Sequence, residues 1–231
     1  MKALMFGWEF PPHILGGLGT ASFGLTRGMA KQEDMDITFC IPKPYGDEDQ
    51  SFLKIIGLNN TPVVWKDVPY ETLKERFGSY MDPQQYYDLR DHIYADFRYL
   101  HTNDLGCIEF SGRYPDNLLE EINNYSICAG VIARTEQFDI IHSHDWLTYP
   151  AGIHAKSVSG KPLVIHVHAT DFVSTEAKLS AEELSKLARL IADNRVPVIF
   201  QDNQANPQAV TSLREAVRAL GLQFGIWMEP E

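Results

Sequence analysis

Short runs of aliphatic and β-branched residues alternate along this chain with longer segments of helical periodicity, and this alternation constrains the fold most strongly. It is typical of βαβ units around a parallel sheet. The segments 138–141 and 162–165 are continuously apolar, which excludes a solvent-exposed face. They therefore belong at the sheet centre with helices on both faces. The predicted strands lie near residues 2–7, 36–41, 62–67, 138–143, 162–168, 196–201 and 222–228.

These elements predict a single-domain, three-layer α/β fold with a doubly wound, Rossmann-like parallel sheet of about seven strands. A segment at about 70–135, rich in tyrosine and charge, is expected to form two or three helices over one face. With 231 residues, 44% of them hydrophobic, the chain can bury a real core. This composition excludes a disordered, collagen-like or coiled-coil protein.

The charge balance bears on partners and location. With 31 acidic against 20 basic residues the formal net charge is −11, which would repel a nucleic-acid backbone. Glu9 and the prolines after it interrupt any signal-peptide core, and no apolar run is long enough to span a bilayer. We therefore expect a soluble, cytoplasmic protein with neither a nucleic-acid nor a membrane partner. The three widely spaced cysteines, Cys40, Cys107 and Cys128, indicate buried thiols.

A glycine-rich turn follows the first predicted strand. Glycines there permit close backbone approach, and the N-terminus of the next helix presents N–H groups that favour an anion such as phosphate. Such turns also serve merely to pack a helix onto a strand, so both interpretations stay open. The residues concerned are Gly16, Gly17, Leu18 and Gly19.

Two His-x-His pairs end the two central strands. Residues two apart share a strand face, and the carboxyl ends of neighbouring parallel strands open into the crevice beside the glycine-rich turn. With Asp145 and Trp146 next in the chain, imidazole, carboxylate and indole groups would converge where a sugar could stack and hydrogen-bond. The histidines are His142 and His144 in the first pair, and His166 and His168 in the second.

The four histidines also permit a zinc site or a buried, structural role. We expect the last histidine of each pair to project from its strand end, and no cysteine lies near. A sugar-side role is therefore favoured over zinc. We predict no stoichiometric zinc or manganese after dialysis, and no bound cofactor.

Residues 1 to about 172 resemble the N-terminal, acceptor-side domain of bacterial glycogen and starch synthases, which are retaining glycosyltransferases of the GT-B architecture. The resemblance rests on five motifs in the family's order. They are Phe6-Gly7-Trp8-Glu9-Phe10-Pro11-Pro12, Gly16-Gly17-Leu18-Gly19, Phe110-Ser111-Gly112-Arg113-Tyr114, His142-Ser143-His144-Asp145-Trp146 and His168-Ala169-Thr170-Asp171-Phe172.

The resemblance implies roles for individual residues. The glycine-rich turn would approach the donor diphosphate, Asp145 and Trp146 would lie on the acceptor side, and His168 would contact the transferred glucosyl unit. Ile14 and Leu15 stand where many glycogen synthases carry a lysine, so a charged phosphate contact is missing. By the same resemblance the candidate catalytic residues are His168 and Asp145, and the candidate substrate contacts are Gly16, Gly17, Leu18, Gly19, His144 and Trp146.

The chain departs from this family pattern after Phe172. Residues 174–220 resemble a segment of the metal-binding solute-binding proteins of ABC transporters, with Asp202 at the position of a metal ligand. Residues 221–231 are similar to a strand of α-galactosidase-like glycoside hydrolases. This predicts an engineered chimera in which grafted βα segments at 173–231 complete the sheet of the 1–172 domain. The histidine ligands of the solute-binding proteins have no counterpart here, so inherited metal binding is not expected.

Function follows from the same resemblance. In the GT-B architecture a second domain binds most of the sugar nucleotide and supplies charge at the leaving diphosphate. No second glycine-rich βα turn follows residue 172. We therefore expect a catalytically silent half domain that binds glucan or sugar nucleotide weakly if at all. The alternatives are an engineered scaffold without ligand function, a metal-binding module formed by the solute-binding-like segment, and a transferase completed by a separate donor domain.

Overall fold

A parallel β-sheet lies at the centre of the computed structural model, which describes residues 1–32, 34–63, 102–167, 198–202 and 223–227. The last two ranges are described by their backbone. Within these residues the strands are β1 (Lys2–Phe6), β2 (Asp36–Ile41), β3 (Lys54–Gly57), β4 (Ile140–His144), β5 (Leu163–Val167), β6 (Val198–Asp202) and β7 (Gln223–Trp227). Their order is β3-β2-β1-β4-β5-β6-β7, with parallel pairing throughout. The predicted α/β class with a parallel sheet is confirmed.

The described ranges contain three α-helices: α1 (Gly17–Met29), α2 (Leu118–Thr135) and α3 (Tyr149–Ser159). α2 carries Glu120 and Glu121 in its first turn and Arg134 in its last, which suits the helix dipole. α3 ends at Gly160, whose positive φ of 69° is the left-handed conformation that closes many helices. None of the described helices combines the length and apolar character needed to cross a bilayer.

Alternate residues of the strands face two different helical layers. Leu4 and Phe6 of β1 belong to a core cluster with residues of α2 and α3. Met5 of β1 and Phe39 of β2 belong to a second cluster, against which Phe23 of α1 packs. Both faces of β1 are therefore covered by packed side chains, as expected for a central strand of a doubly wound sheet.

Tyr125 ties α2 to the carboxyl ends of β1 and β2. Its fully buried hydroxyl lies 2.8 Å from the carbonyl oxygens of both Gly7 and Cys40. Its ring contacts the rings of Phe6, with centroids 6.1 Å apart, and Trp8, at 5.5 Å. These contacts fix where the chain leaves β1, and so determine where the turn after β1 lies.

One strand of the sheet was not predicted, and one predicted strand lies mostly outside the described residues. The third described strand is Lys54–Gly57, whereas only residues 62 and 63 of the strand predicted near 62–67 are described, and there Pro62 forms an isolated antiparallel bridge with Cys107. Proline lacks the N–H that a strand inside a ladder donates, whereas the residues of Lys54–Gly57 pair with β2 in full register.

Other predictions fall partly outside the described residues. α2 lies in the expected helical segment at 70–135, but residues 64–101 are not described. The helical parts of the predicted βα segments at 173–231 fall within 168–197 and 203–222, which are not described either. The prediction of buried thiols is confirmed, because all three cysteines are free and buried.

Candidate functional site

The carboxyl ends of β1 and β4 lie side by side, because Met5 pairs with His142 and Phe6 with Ser143. The turn after β1 and the residue after β4, Asp145, therefore belong to the same edge of the sheet. In open parallel sheets, ligands bind at the carboxyl ends of the strands, especially at the point where the strand order reverses. β1 is such a strand, with β2 on one side and β4 on the other.

Glu9 organises the glycine-rich turn. Its carboxylate accepts hydrogen bonds from the backbone N–H groups of Leu15 (2.8 Å) and Gly19 (3.0 Å), and its side chain is buried. Gly19 lies in the first turn of α1, so the carboxylate occupies the N-terminus of that helix, where negative charge is stabilised. A carboxylate of the chain itself thus satisfies part of the anion-binding capacity that the sequence predicted for this turn.

The glycines of this turn are not equivalent. A side chain at Gly19 would collide with Ile14, so glycine is needed there for close packing. At Gly17 a Cβ atom would meet nothing within 4 Å, and at Gly16 only the Glu9 Oε1 atom at 4.0 Å. The packing interpretation therefore holds for Gly19, while Gly16 and Gly17 border open space that a ligand can enter.

Hydrogen bonds hold the loop that follows Ile108 against α2 and the turn after β1. The buried carboxylate of Glu121 accepts hydrogen bonds from the N–H (2.9 Å) and the hydroxyl (3.0 Å) of Ser111. Gly112 has a positive φ of 69°, which favours glycine, and the Trp8 indole donates to the Arg113 carbonyl at 3.0 Å. These bonds orient the next residue, Tyr114, towards Glu9.

Tyr114 lies near the two acidic residues of the site. Its hydroxyl lies near the Glu9 carboxylate, while 43% of the residue remains exposed. Burial of part of the side chain, together with the nearby Glu9 and Asp145 carboxylates, raises the pKa of the Tyr114 hydroxyl. Glu9, Tyr114 and Asp145 therefore form one polar cluster, which we call the acidic edge.

Asp145 has a rare backbone conformation. Its φ of 67° and ψ of 167° lie in a region that almost only glycine adopts, and its side chain is buried. The N–H of Asp145 donates to the His166 carbonyl (2.8 Å), and the N–H of Thr148 donates to the Asp145 carbonyl (3.0 Å). Strain of this kind is held in place by surrounding structure and concentrates at functional sites.

The histidines of β4 and β5 lie inside the protein. His144 is fully buried, and its ring stacks on that of His142 with centroids 4.3 Å apart. The expectation that the last histidine of each pair projects from its strand is therefore wrong for His144, because the side chain turns onto the sheet face beside Phe39. Burial, with a contribution from His166, lowers the pKa of His142 to about 3.

The predicted site residues divide into three groups. Gly16, Gly17 and Asp145 border the edge, whereas His144 lies within the sheet face and His168 falls outside the described residues. Leu18 and Trp146 are partly buried and pack against the core. Glu9 and Tyr114 were not predicted from the sequence as site residues. For Glu9 a signal was present, because a charged residue between the two aromatic residues Trp8 and Phe10 indicates a buried carboxylate with a specific role.

Exposed apolar side chains surround this edge. Of the seven large hydrophobic residues that are exposed in the described ranges, four come from loops at this edge: Ile14, Leu15, Tyr45 and Tyr114. The Tyr45 ring stacks on His13 with centroids 4.0 Å apart, and the His13 Nε2 atom lies 2.7 Å from the Asp47 carboxylate. An acidic cluster bordered by exposed rings is an arrangement suited to polyhydroxylated ligands.

Comparison with known proteins gives one curated relative. The uncharacterized glycosyltransferase MJ1607 of Methanocaldococcus jannaschii is 23% identical over 172 residues, which are 74% of this chain and 32% of that protein. The chain thus spans about a third of the length of that relative.

Two solved structures show weak similarity. Anabaena Alr3699/HepE, in complex with UDP and glucose, has a TM-score of 0.45 and 15% identity, covering 98% of this chain and 44% of that one. The periplasmic zinc binding protein TroA from Treponema pallidum has a TM-score of 0.25 and 13% identity, covering 97% and 87%.

The match to a protein family is extensive. The model of the starch synthase catalytic domain matches residues 2–209. This range includes the five motifs and continues past residue 172, where the motifs indicated that the resemblance ends. The chain therefore belongs to the family of starch synthase catalytic domains.

Proposed function

We propose that this chain supplies the acceptor-side half of a glucosyltransferase and binds a glucan along the acidic edge. The observation that carries the proposal is the strained, buried Asp145 at the end of β4, with the buried Glu9 and the partly exposed Tyr114 nearby. A backbone held in a nearly glycine-only conformation at the end of a central strand is costly, and a ligand contact at Asp145 gives a reason for it. The family membership supports glycosyl transfer as the chemistry.

The chemistry of the edge suits a sugar. Carboxylates accept hydrogen bonds from sugar hydroxyls, and exposed aromatic rings such as Tyr114 and Tyr45 pack against the C–H faces of a pyranose ring. In this proposal Asp145 and Trp146 contact the acceptor, and His168 contacts the transferred glucosyl unit. His144 acts indirectly, because its buried ring supports the strand that ends at Asp145.

The glycine-rich turn is poorly suited to bind the donor diphosphate by itself. Gly16 to Gly19 approach the diphosphate in this proposal, but the Glu9 carboxylate already binds the Gly19 N–H and opposes a second anion there. Ile14 and Leu15 bring no positive charge to the turn. The charge that stabilises a leaving diphosphate must then come from another domain, so this 231-residue polypeptide alone transfers no glucose.

We also propose that residues 173–231 complete the sheet of residues 1–172 within one seven-stranded domain, with helices of the segment at about 70–135 over one face. The parallel pairing of β5 with β6 supports this organisation. An engineered junction after residue 172 would explain the changed motif there, but the family match to residue 209 weighs against it.

Electrophoresis through a gel that contains glycogen tests glucan binding. We expect retardation of the unmodified chain, and at least about threefold weaker binding for Tyr114→Phe and Asp145→Asn, since each loses a polar contact to the sugar. Glu109→Gln, a change at an exposed carboxylate outside the acidic edge, is the matched control and should bind normally. A chain that is not retarded would instead be a scaffold without ligand function.

A second assay tests catalytic silence. Radiolabelled ADP-, UDP- and GDP-glucose are incubated with glycogen and a high concentration of the chain, and no label should enter the polymer. Incorporation that disappears in His168→Ala would show that the chain is a complete enzyme. Incorporation only after addition of a separate donor domain would support the acceptor-half proposal.

A further inference from the structure

Three histidines on one face of the sheet form a second cluster, apart from the acidic edge. We propose that His142, His144 and His166 bind one divalent transition-metal ion of the zinc type. Each residue offers a ring nitrogen, and these three atoms all lie within 4.8 Å of one another. The inference is independent of the proposed glucan binding.

The backbone places these imidazoles together. His142 and His144 are two apart on β4 and so share a face, and His166 of β5 is the register partner of His144. The ring centroids lie 4.3 Å apart for His142 and His144, 5.5 Å for His142 and His166, and 5.6 Å for His144 and His166. Because the strands belong to the centre of the sheet, the positions of the three Cα atoms are fixed by the main-chain ladder.

The three histidines are polar side chains in a buried, largely apolar part of the sheet face. His144 is fully buried and His166 is 4% exposed, on the face where other strands carry apolar side chains such as Met5 and Phe39. Within the described residues, the Nε2 atom of His142 is buried and has no hydrogen-bond partner. A polar atom in that position is costly unless a partner satisfies it, and a metal ion is such a partner.

The donor set selects the class of metal. Three neutral imidazoles suit zinc, copper, nickel or cobalt, whereas magnesium and calcium prefer oxygen ligands. Two nitrogens bound to one tetrahedral zinc ion lie about 3.4 Å apart, so the separations here must shorten by at most about 1.4 Å. Rotation about the Cβ–Cγ bond of histidine, a soft torsion, turns ring edges towards a common centre.

This inference reverses the expectation, drawn from the sequence, that no zinc would bind. The expectation rested on histidines that project from their strand ends towards a sugar, with no cysteine near them. In the structure His144 and His166 instead lie beside His142 in one cluster. Three protein ligands leave a fourth coordination position for water or another group, as in zinc sites that are not closed.

Metal titration of the full chain tests the proposal. The chain is stripped with a chelator, dialysed and titrated with zinc chloride by calorimetry. We expect one ion per chain, and binding at least about tenfold weaker in His142→Gln and in His166→Gln, because each variant loses one of three ligands. His13→Gln is the matched control, since His13 lies at the surface beside Asp47, and it should bind zinc as the unmodified chain does.

The cobalt(II) complex of the unmodified chain gives a second readout that does not depend on folding of the variants. Coordination by three imidazoles in a four-coordinate site predicts strong visible absorption, which zinc should abolish by competition. Weak absorption typical of six-coordinate cobalt would overturn the proposal. So would an absence of zinc binding, or equal zinc affinity in His142→Gln and His13→Gln when both are folded by circular dichroism.

Discussion

The side-chain carboxylate of Glu9 accepts a 3.0 Å hydrogen bond from the backbone N–H of Gly19, ten residues further along the chain. Since Gly16, the residue before α1, provides no side-chain cap, Glu9 takes the place of a capping residue for this helix. The Tyr114 hydroxyl lies near the same carboxylate, so one buried side chain stands between the glycine-rich turn and the rest of the acidic edge. The shape of the proposed site therefore depends on Glu9.

Replacement of this carboxylate should weaken the fold. Glu9→Gln keeps one carbonyl oxygen but loses the charge and one of the two acceptors that bind Leu15 and Gly19. We expect the free energy of unfolding to fall by about 1–2 kcal/mol, measured by urea denaturation. Glu109→Gln, which changes an exposed carboxylate, should have no measurable effect. Equal stability of the two variants would contradict the capping role of Glu9.

Replacement of Asp145 by glycine should stabilise the fold but weaken glycogen binding. Glycine adopts the observed φ and ψ freely, so Asp145→Gly should raise the free energy of unfolding by about 1 kcal/mol while glycogen binding is lost. Asp34→Gly is the control, because Asp34 also has a positive φ, of 66°, but lies in an exposed turn before β2. It should leave binding intact. Normal glycogen binding by Asp145→Gly would remove Asp145 from the site.

Stability should decline at alkaline pH. Burial raises the pKa values of the Cys40 thiol and the Tyr125 hydroxyl above their ordinary values of 9.0 and 10.0. The unfolded chain releases these protons while the native chain keeps them, so the free energy of unfolding falls as pH rises above 9.0. Each such group contributes a slope of about 1.4 kcal/mol per pH unit.

Urea denaturation across a pH series measures this slope. Tyr125→Phe lacks one of the two groups, so above pH 10.0 its free energy of unfolding should decline less steeply than that of the unmodified chain. The variant should also be less stable at neutral pH, because the Gly7 carbonyl loses the hydroxyl that donates to it. Parallel slopes above pH 10.0 would show that Tyr125 does not keep its proton in the native state.

Two helical glycines should respond oppositely to the same change. A Cβ atom at Gly24 in α1 would meet nothing within 4 Å, so Gly24→Ala should stabilise the fold by about 0.5–1 kcal/mol. In α3 a Cβ at Gly152 would collide with the Ser143 side chain and lie 2.8 Å from Leu163, so Gly152→Ala should destabilise it. Thermal unfolding of both variants checks this, and a stabilising Gly152→Ala would contradict the close packing of α3 on the sheet.

The sequence was most informative about the fold where hydrophobic pattern and position agree. The continuously apolar segments 138–141 and 162–165 predicted central strands, and β4 and β5 lie there, because burial on both faces leaves a clear composition signal. The strand Lys54–Gly57 was missed, because it is short and lacks the continuous apolar run of the central strands.

The site was less predictable because its central contacts join residues far apart in the chain. Nothing local to Glu9 reveals that its carboxylate binds the Gly19 N–H and lies near Tyr114. The histidine pairs were recognised, but whether the His144 ring points out or folds onto the sheet depends on packing beside Phe39, which spacing alone does not determine.

Nuclear magnetic resonance of the indole N–H signals during titration with a maltooligosaccharide tests glucan binding at the acidic edge. We expect a saturable shift of the Trp146 signal at roughly millimolar ligand, as for a few hydrogen bonds and one aromatic contact in open water. The signal of Trp8, which is buried against Tyr125, should move little. Trp146→Phe assigns the signal, and in Asp145→Asn the shift should need at least about threefold more ligand. A Trp146 signal that does not saturate, or that moves equally in Asp145→Asn, would contradict an acceptor site at the acidic edge.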